Sequence, residues 1–197
     1  MTDQLSLSIW LEKNSRANRL KYFEKLLRLF PFSQRAQPQS TIYVQAIAST
    51  EPALLEKPLN GPIEVSDIMA AFAEYGGDDV AYRLESWWDL WQDTGDWTIG
   101  PARVELACYG PDFDNGTERA AQEQEDLRID FGVDGHFLPM PELTGSGRMT
   151  ESNVKSMLRL VHELDSTLPV AKRKLETESG ENFADRLQQV LSGSRVQ

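Results

Sequence analysis

The chain has 197 residues, of which 40% are hydrophobic, and a net charge of −11 at pH 7. This length suits one domain with its own core, and this hydrophobic fraction excludes a disordered chain. The single cysteine, Cys108, excludes an internal disulfide. Since there is no apolar run of roughly 18 residues and no secretion signal at the N-terminus, we expect a cytoplasmic protein with no membrane contact.

The first part of the chain alternates between strand and helix patterns. Residues 5–11 alternate apolar and polar side chains and predict a strand, and residues 40–48 predict a second one. Between them, residues 15–30 carry an apolar stripe at helical spacing, which Pro31 ends. Residues 49–62 contain three prolines and predict a loop. A short amphipathic helix is predicted to follow.

Residues 83–97, RLESWWDLWQDTGDW, hold four of the five tryptophans and fit both a helical and a strand period. Aromatic residues favour strands, and the QDTGD turn leads into a second apolar run, as in a hairpin. We therefore predict a strand over residues 80–91. This strand would place Trp88 in the core and Trp87 and Trp91 on the opposite face, at a surface or a subunit contact.

The rest of the chain predicts two more strands and two helices. Alternation around residues 104–108 and over residues 127–133 indicates strands, with an acidic loop between them. Residues 150–169 predict a strong helix, capped by Thr150 or Ser152. The polar tail offers one more helix, which we expect to pack loosely or on a neighbouring chain.

These elements predict an α+β fold: a mostly antiparallel sheet of about five to six strands, with helices packed on one face. A ferredoxin-like core with added strands is one arrangement that fits. We divide the chain into a single α+β domain, residues 1–169, and a polar C-terminal extension with a short helix, residues 170–197.

Most of the negative charge lies in the middle of the chain, where residues 61–146 hold four Lys/Arg against nineteen Asp/Glu. Such a segment repels nucleic acid and attracts basic proteins, while tryptophan is favoured at protein interfaces. The sequence therefore predicts a non-enzymatic module that binds a basic protein partner. Small acidic immunity and antitoxin proteins would fit this hypothesis, on the basis of composition alone. The predicted binding residues are Trp87, Trp91, Trp97, Asp89, Asp93, Asp96, Asp112 and Asp114.

Two alternatives stay open. A hydrolase-type enzyme would use His136 for acid–base chemistry with Asp112, Asp114 or Asp130, because a nearby carboxylate tunes a histidine for that work. A homo-oligomeric scaffold would close through the face of Trp87 and Trp91. The DFDNG stretch at residues 112–116 departs from a calcium loop in the position of its glycine. We therefore expect no metal and no cofactor.

Overall fold

A computed structural model describes residues 3–35, 39–116, 124–140, 142–180 and 182–193, with side chains up to residue 188. The strands are β1 (Gln4–Leu11), β2 (Ser40–Ala46), β3 (Leu55–Leu59), β4 (Val80–Asp93), β5 (Trp97–Tyr109), β6 (Leu127–Val133) and β7 (Val170–Thr177). The helices are α1 (Arg19–Leu29), α2 (Val65–Phe72), α3 (Ser146–Thr167) and α4 (Phe183–Gly193). A 3-10 turn at Asp134–His136 follows β6.

All seven strands form one sheet in the order β3-β2-β4-β5-β6-β1-β7, and every neighbouring pair is antiparallel. The α+β class and the antiparallel sheet are therefore confirmed. The centre of the sheet is the long β4–β5 hairpin, which pairs from Ala81 opposite Tyr109 to Asp93 opposite Trp97. A ferredoxin-like core is not confirmed, because three strands lie between β1 and β2, whereas a split βαβ unit of that fold has one.

The core lies between one face of the sheet and the helices. The strand residues that alternate inward form one apolar cluster with the buried residues of α1, α2 and α3. Trp88 of β4 is only 3% exposed, and its ring lies 5.6 Å from Phe30, 5.5 Å from Phe131 and 6.1 Å from Phe137 between ring centroids. The predicted strand at residues 80–91 and the buried position of Trp88 are thus confirmed.

The sheet is larger than the predicted five to six strands, because its two outermost strands are polar and lack a strand-like pattern. β3 lies within residues 49–62, where three prolines predict a loop. Pro58 of β3 pairs opposite Thr41 of β2. Proline is tolerated on an edge strand, where the missing N–H need not join a ladder.

The second missed strand is β7, which lies in the predicted C-terminal extension. β7 pairs with β1 from Thr177 opposite Leu5 to Val170 opposite Leu11. Its exposed Lys172, Arg173 and Lys174 suit an edge strand, because charge there discourages pairing with another chain. The sheet therefore continues past residue 169.

The helices also differ from their predictions, for example in where α1 and α3 begin and in how α4 packs. α3 begins at Ser146 rather than near Thr150, because Gly145 adopts a φ of 84° and turns the chain into the helix earlier. Thr150 lies inside the helix, where its hydroxyl donates a hydrogen bond to the Ser146 carbonyl at 2.8 Å. α4 packs on the core through Phe183, whose ring lies 6.4 Å from that of Phe137, rather than loosely.

Within the described ranges, no helix combines the length and the apolar character needed to cross a membrane.

Candidate functional site

The face of the sheet opposite the helices carries no helix in the part of the chain that the structure describes. We call it the open face. Trp87 and Trp91 are partly buried there, while Trp88 between them points into the core, as strand alternation requires. Open-face positions of β4 and its neighbour β5 include Arg83, Glu85, Trp87, Asp89, Trp91, Arg103 and Glu105.

Four carboxylates form a row across the open face, at right angles to the strands. Glu85 lies opposite Glu105, and Glu105 lies opposite Asp130. Ser6 comes next, opposite Asp130, and Glu176 lies opposite Ser6 on the far side. We call these four acidic residues the carboxylate row. Like charges directly opposite one another destabilise a sheet, so the row needs compensating cations.

Each member of the carboxylate row has a basic partner. Arg83 donates two hydrogen bonds to Glu105, of 2.9 and 2.6 Å. Arg103 donates one of 2.6 Å to Glu85 from the other side of the row. The remaining ion pairs are Arg128 with Asp130 and Lys174 with Glu176. The row is therefore neutralised by paired side chains, and the middle of the open face carries little net charge.

Asp130 is a partly buried member of the row, and this burial perturbs its carboxyl group. Burial raises the pKa of its carboxyl above the usual 3.8; Arg128 opposes that rise and Glu105 adds to it. Arg128 is shared, because it also lies 3.2 Å from the carboxylate of Glu125, whose side chain is fully buried. Asp130 is thus easier to protonate than an ordinary aspartate.

His136 and Asp130 line the same cavity, of about 410 Å³, at one end of the open face. Burial lowers the pKa of the His136 imidazole below 6.5, so its neutral form is favoured at pH 7. The other lining residues are Gln4, Arg103, Val104, Glu105, Arg128, Gly132, Val133 and Glu178. This set can hold or move a proton, and its described lining offers no serine, threonine or cysteine as a nucleophile.

Asp89, one of the predicted binding residues, has a local structural role. Its carboxylate accepts a 2.6 Å hydrogen bond from the Ser33 hydroxyl and a 3.3 Å bond from the Gln34 amide. Arg35 lies 3.8 Å away. The Ser33 amide also donates to the Trp87 carbonyl at 2.8 Å. Asp89 therefore fixes the segment after α1 along β4, beyond the first residue of β2, Ser40.

Asp93, Asp96 and Trp97 lie together at the turn of the β4–β5 hairpin. Asp93 accepts a 2.9 Å hydrogen bond from the Gly95 amide, and both aspartates are exposed. The Trp97 indole donates a 2.9 Å bond to the Thr144 carbonyl, so this ring is tied to the start of α3. This end of the hairpin is acidic and adjoins Trp91.

Asp112 and Asp114 lie at the opposite end of the hairpin. The Asp112 amide donates to the Asp78 carbonyl just before β4 begins, and the Asp114 amide donates to the Ile47 carbonyl, both at 2.8 Å. β4 has 14 residues, so this end is separated from Asp93 by about 40 Å along the strand. The eight predicted binding residues therefore do not form one surface, and Asp112 and Asp114 lie far from His136.

Sequence reasoning missed the carboxylate row, although a signal for it exists. Four strands each carry a basic, an apolar and an acidic residue in succession: Arg83–Glu85, Arg103–Glu105, Arg128–Asp130 and Lys174–Glu176. In a strand, the first and third residues of such a triplet share a face. The repeated triplet therefore marks a charged face that crosses the sheet.

Sequence reasoning also missed Asn153 of α3, which is 2% exposed. Its side chain accepts a 2.9 Å hydrogen bond from the Trp91 amide, and donates to the carbonyls of Trp91 at 2.9 Å and His136 at 2.7 Å. A single asparagine on a helix gives no sequence signal for such a contact. It joins α3 to the end of β4 beside the candidate site.

Among the residues that the structure describes, no three His, Cys, Asp or Glu side chains converge to hold a metal ion. The one cysteine, Cys108, is fully buried, and burial raises the pKa of its thiol far above the usual range. Comparison with known proteins finds no match among family models, curated proteins or solved structures.

Proposed function

We propose that this protein is a non-enzymatic binding module that recognises a basic protein partner through the open face. The observation that carries the proposal is that Trp87 and Trp91 lie partly exposed on a sheet face with no described helix above it. Both side chains lie on the same side of β4, and their Cα atoms are about 13 Å apart along the strand. Tryptophan offers a large contact area with one polar N–H, which is why interfaces favour it.

The charge of the protein supports a basic partner. The net charge of −11 attracts a cationic protein and speeds its association. Exposed Asp93 and Asp96 place part of this charge at the end of the strand that carries Trp91. The ion pairs of the carboxylate row leave the middle of the open face nearly neutral. We keep the cytoplasm as the expected location.

Two alternatives have weaker support. The hydrolase alternative is supported by the cavity that His136 and Asp130 share. Against it, Asp130 is engaged by Arg128. A homo-oligomeric scaffold would use the same tryptophans as the proposed module, so it is an outcome of the test below.

The test is a binding experiment with a partner identified by affinity capture from the native host and then purified. Replacing Trp87 and Trp91 by alanine should speed dissociation about tenfold or more, because the aromatic anchors are lost. Replacing Asp93 and Asp96 by lysine should slow association and flatten its dependence on salt. Surface plasmon resonance at two salt concentrations measures both effects.

Leu158→Ala is the matched control, because Leu158 is 53% exposed on α3, on the helix side of the sheet. This variant should bind as the parent does. Equal kinetics for all variants would overturn the proposal. Self-association that the tryptophan double variant abolishes, measured by light scattering, would instead support the scaffold.

A further inference from the structure

Ile47, just after β2, is the one non-glycine residue with a positive φ among the described residues, at 70°. The Ala48 amide donates a 2.9 Å hydrogen bond to the Ala46 carbonyl, which closes a three-residue γ-turn around Ile47. The positive-φ form of this turn is rare and strained. A β-branched residue makes the strain larger, because its side chain crowds the backbone in this region.

The strained turn is held in place by neighbouring segments on both sides. The Ile47 amide donates to the Asp79 carbonyl at 2.7 Å, and the Ile47 carbonyl accepts from the Asp114 amide at 2.8 Å. The Ser49 amide then donates to the Asp114 carbonyl at 2.8 Å. Strained conformations persist where surrounding structure determines them in this way, and they concentrate at functional sites.

The side chain of Ile47, in the strained turn, does not pack in the core. Ile47 is 63% exposed, and Leu54 in the same loop is 55% exposed. The Leu54 amide closes the base of the loop by donating to the Val44 carbonyl at 2.7 Å. We call residues 47–54 the Ile47 tip. Glycine would fit the same backbone without strain, so the fold itself does not explain an exposed isoleucine here.

The surroundings of the Ile47 tip define the chemistry of a partner. The segments that meet there, residues 47–54, 76–80 and 110–116, contain no Lys or Arg, and the buried Arg19 of α1 pairs with Asp78 beside them. Exposed carboxylates flank the apolar side chains; they belong to Glu51, Asp79, Asp112 and Asp114. A complementary surface therefore has an apolar pocket bordered by lysine or arginine.

We propose that the Ile47 tip is a docking anchor that inserts Ile47 into an apolar pocket on a basic protein partner. The proposal rests on the proposed function for the charge of the partner, and adds a second contact at the other end of β4 from Asp93. Asp112 and Asp114 then take part in binding, as the sequence predicts, but at this end of the molecule.

The Ile47→Gly variant distinguishes a role of the Ile47 side chain in binding from a role in stability. Relief of the backbone strain should outweigh the entropy that glycine adds to the unfolded chain, so the melting temperature should rise by about 2–4 °C. Loss of the side chain should weaken binding about tenfold. The probe is a short synthetic peptide of alternating lysine and leucine. Its binding is measured by NMR, from changes in the backbone amide chemical shifts of the protein. In the parent protein, shifts should concentrate at residues 47–54, 79 and 112–114. Peptides of lysine with serine, and of glutamate with leucine, should bind much more weakly.

Leu158→Ser removes a similarly exposed apolar side chain elsewhere and should leave peptide binding unchanged. A lower melting temperature for Ile47→Gly would contradict the strain. Unchanged peptide binding by this variant, or by Ile47→Asn, a second replacement that tolerates a positive φ, would overturn the proposed anchor. If the peptide changed the amide chemical shifts of the protein only at Trp87 and Trp91, the docking anchor would be rejected and the proposed function would stand. No shifts with any cationic peptide would count against both.

Discussion

At the scale of single residues, neighbouring tryptophans have opposite environments. Trp88 contacts three phenylalanine rings in the core, whereas Trp91 is partly exposed on the open face. We expect Trp88→Ala to lower the free energy of unfolding by about 3–5 kcal/mol, because it leaves a large cavity. Trp91→Ala should lower it by about 1 kcal/mol or less. Urea denaturation of the two variants measures the difference, and equal losses would contradict this assignment.

Asp89 shows why residue type alone does not identify a binding residue. An aspartate between partly exposed tryptophans fits a surface that attracts cations, yet the carboxylate is engaged by Ser33, Gln34 and Arg35 of a distant segment. These contacts depend on where the chain returns after α1. The sequence around Asp89 therefore predicts its side of the strand, but not its partners.

At the scale of elements, Asn153 takes the place of a neighbouring strand. β2 pairs with β4 only as far as Glu85. Further along β4, the side-chain amide of Asn153 bonds the backbone N–H and the carbonyl of Trp91. Asn153→Ala should lower the free energy of unfolding by about 2–4 kcal/mol, because it removes three hydrogen bonds to partly buried backbone groups. Thermal unfolding followed by circular dichroism measures the loss.

Ser156→Ala is the control for Asn153→Ala, since Ser156 lies on the same helix and its hydroxyl bonds only the Ser152 carbonyl in an exposed position. This control should change the free energy of unfolding by less than about 0.5 kcal/mol. If Asn153→Ala behaves like the control, α3 is held to β4 by apolar packing alone.

At the scale of the whole molecule, β7 belongs to the sheet, although the predicted α+β domain ends at residue 169. Removing residues 170–197 would leave β1 as a bare edge, with Leu5, Leu7 and Ile9 less covered. We expect this fragment to aggregate and to lose a cooperative melting transition, because long unprotected edges pair with other chains.

A second truncation, after Ser179, keeps β7 and removes α4. It loses the core contact of Phe183 and the 3.0 Å ion pair of Arg186 with Asp134. This chain should melt cooperatively at a lower temperature. Size-exclusion chromatography and circular dichroism compare both fragments; a monomeric, cooperatively melting 1–169 fragment would show that β7 is dispensable.

Much of the sheet could be predicted from the sequence, because the inner strands bury one face and so alternate. The same reasoning fails at β3 and β7, where an edge position favours Pro58 and a run of cations over apolar residues. The carboxylate row depends on strand register, which a single strand does not reveal. The γ-turn at Ile47 has no signal at all, since glycine or asparagine would ordinarily mark a positive φ.

The carboxylate row and its arginines also determine how the β4–β5 hairpin can be aligned. If the two strands slipped by one position, every side chain of one strand would change faces. Arg103 and Glu105 would then turn towards the apolar cluster, away from Glu85 and Arg83, and unpaired charge in such surroundings is strongly disfavoured. The charged face of this hairpin thus disfavours a shifted register, as the apolar face does.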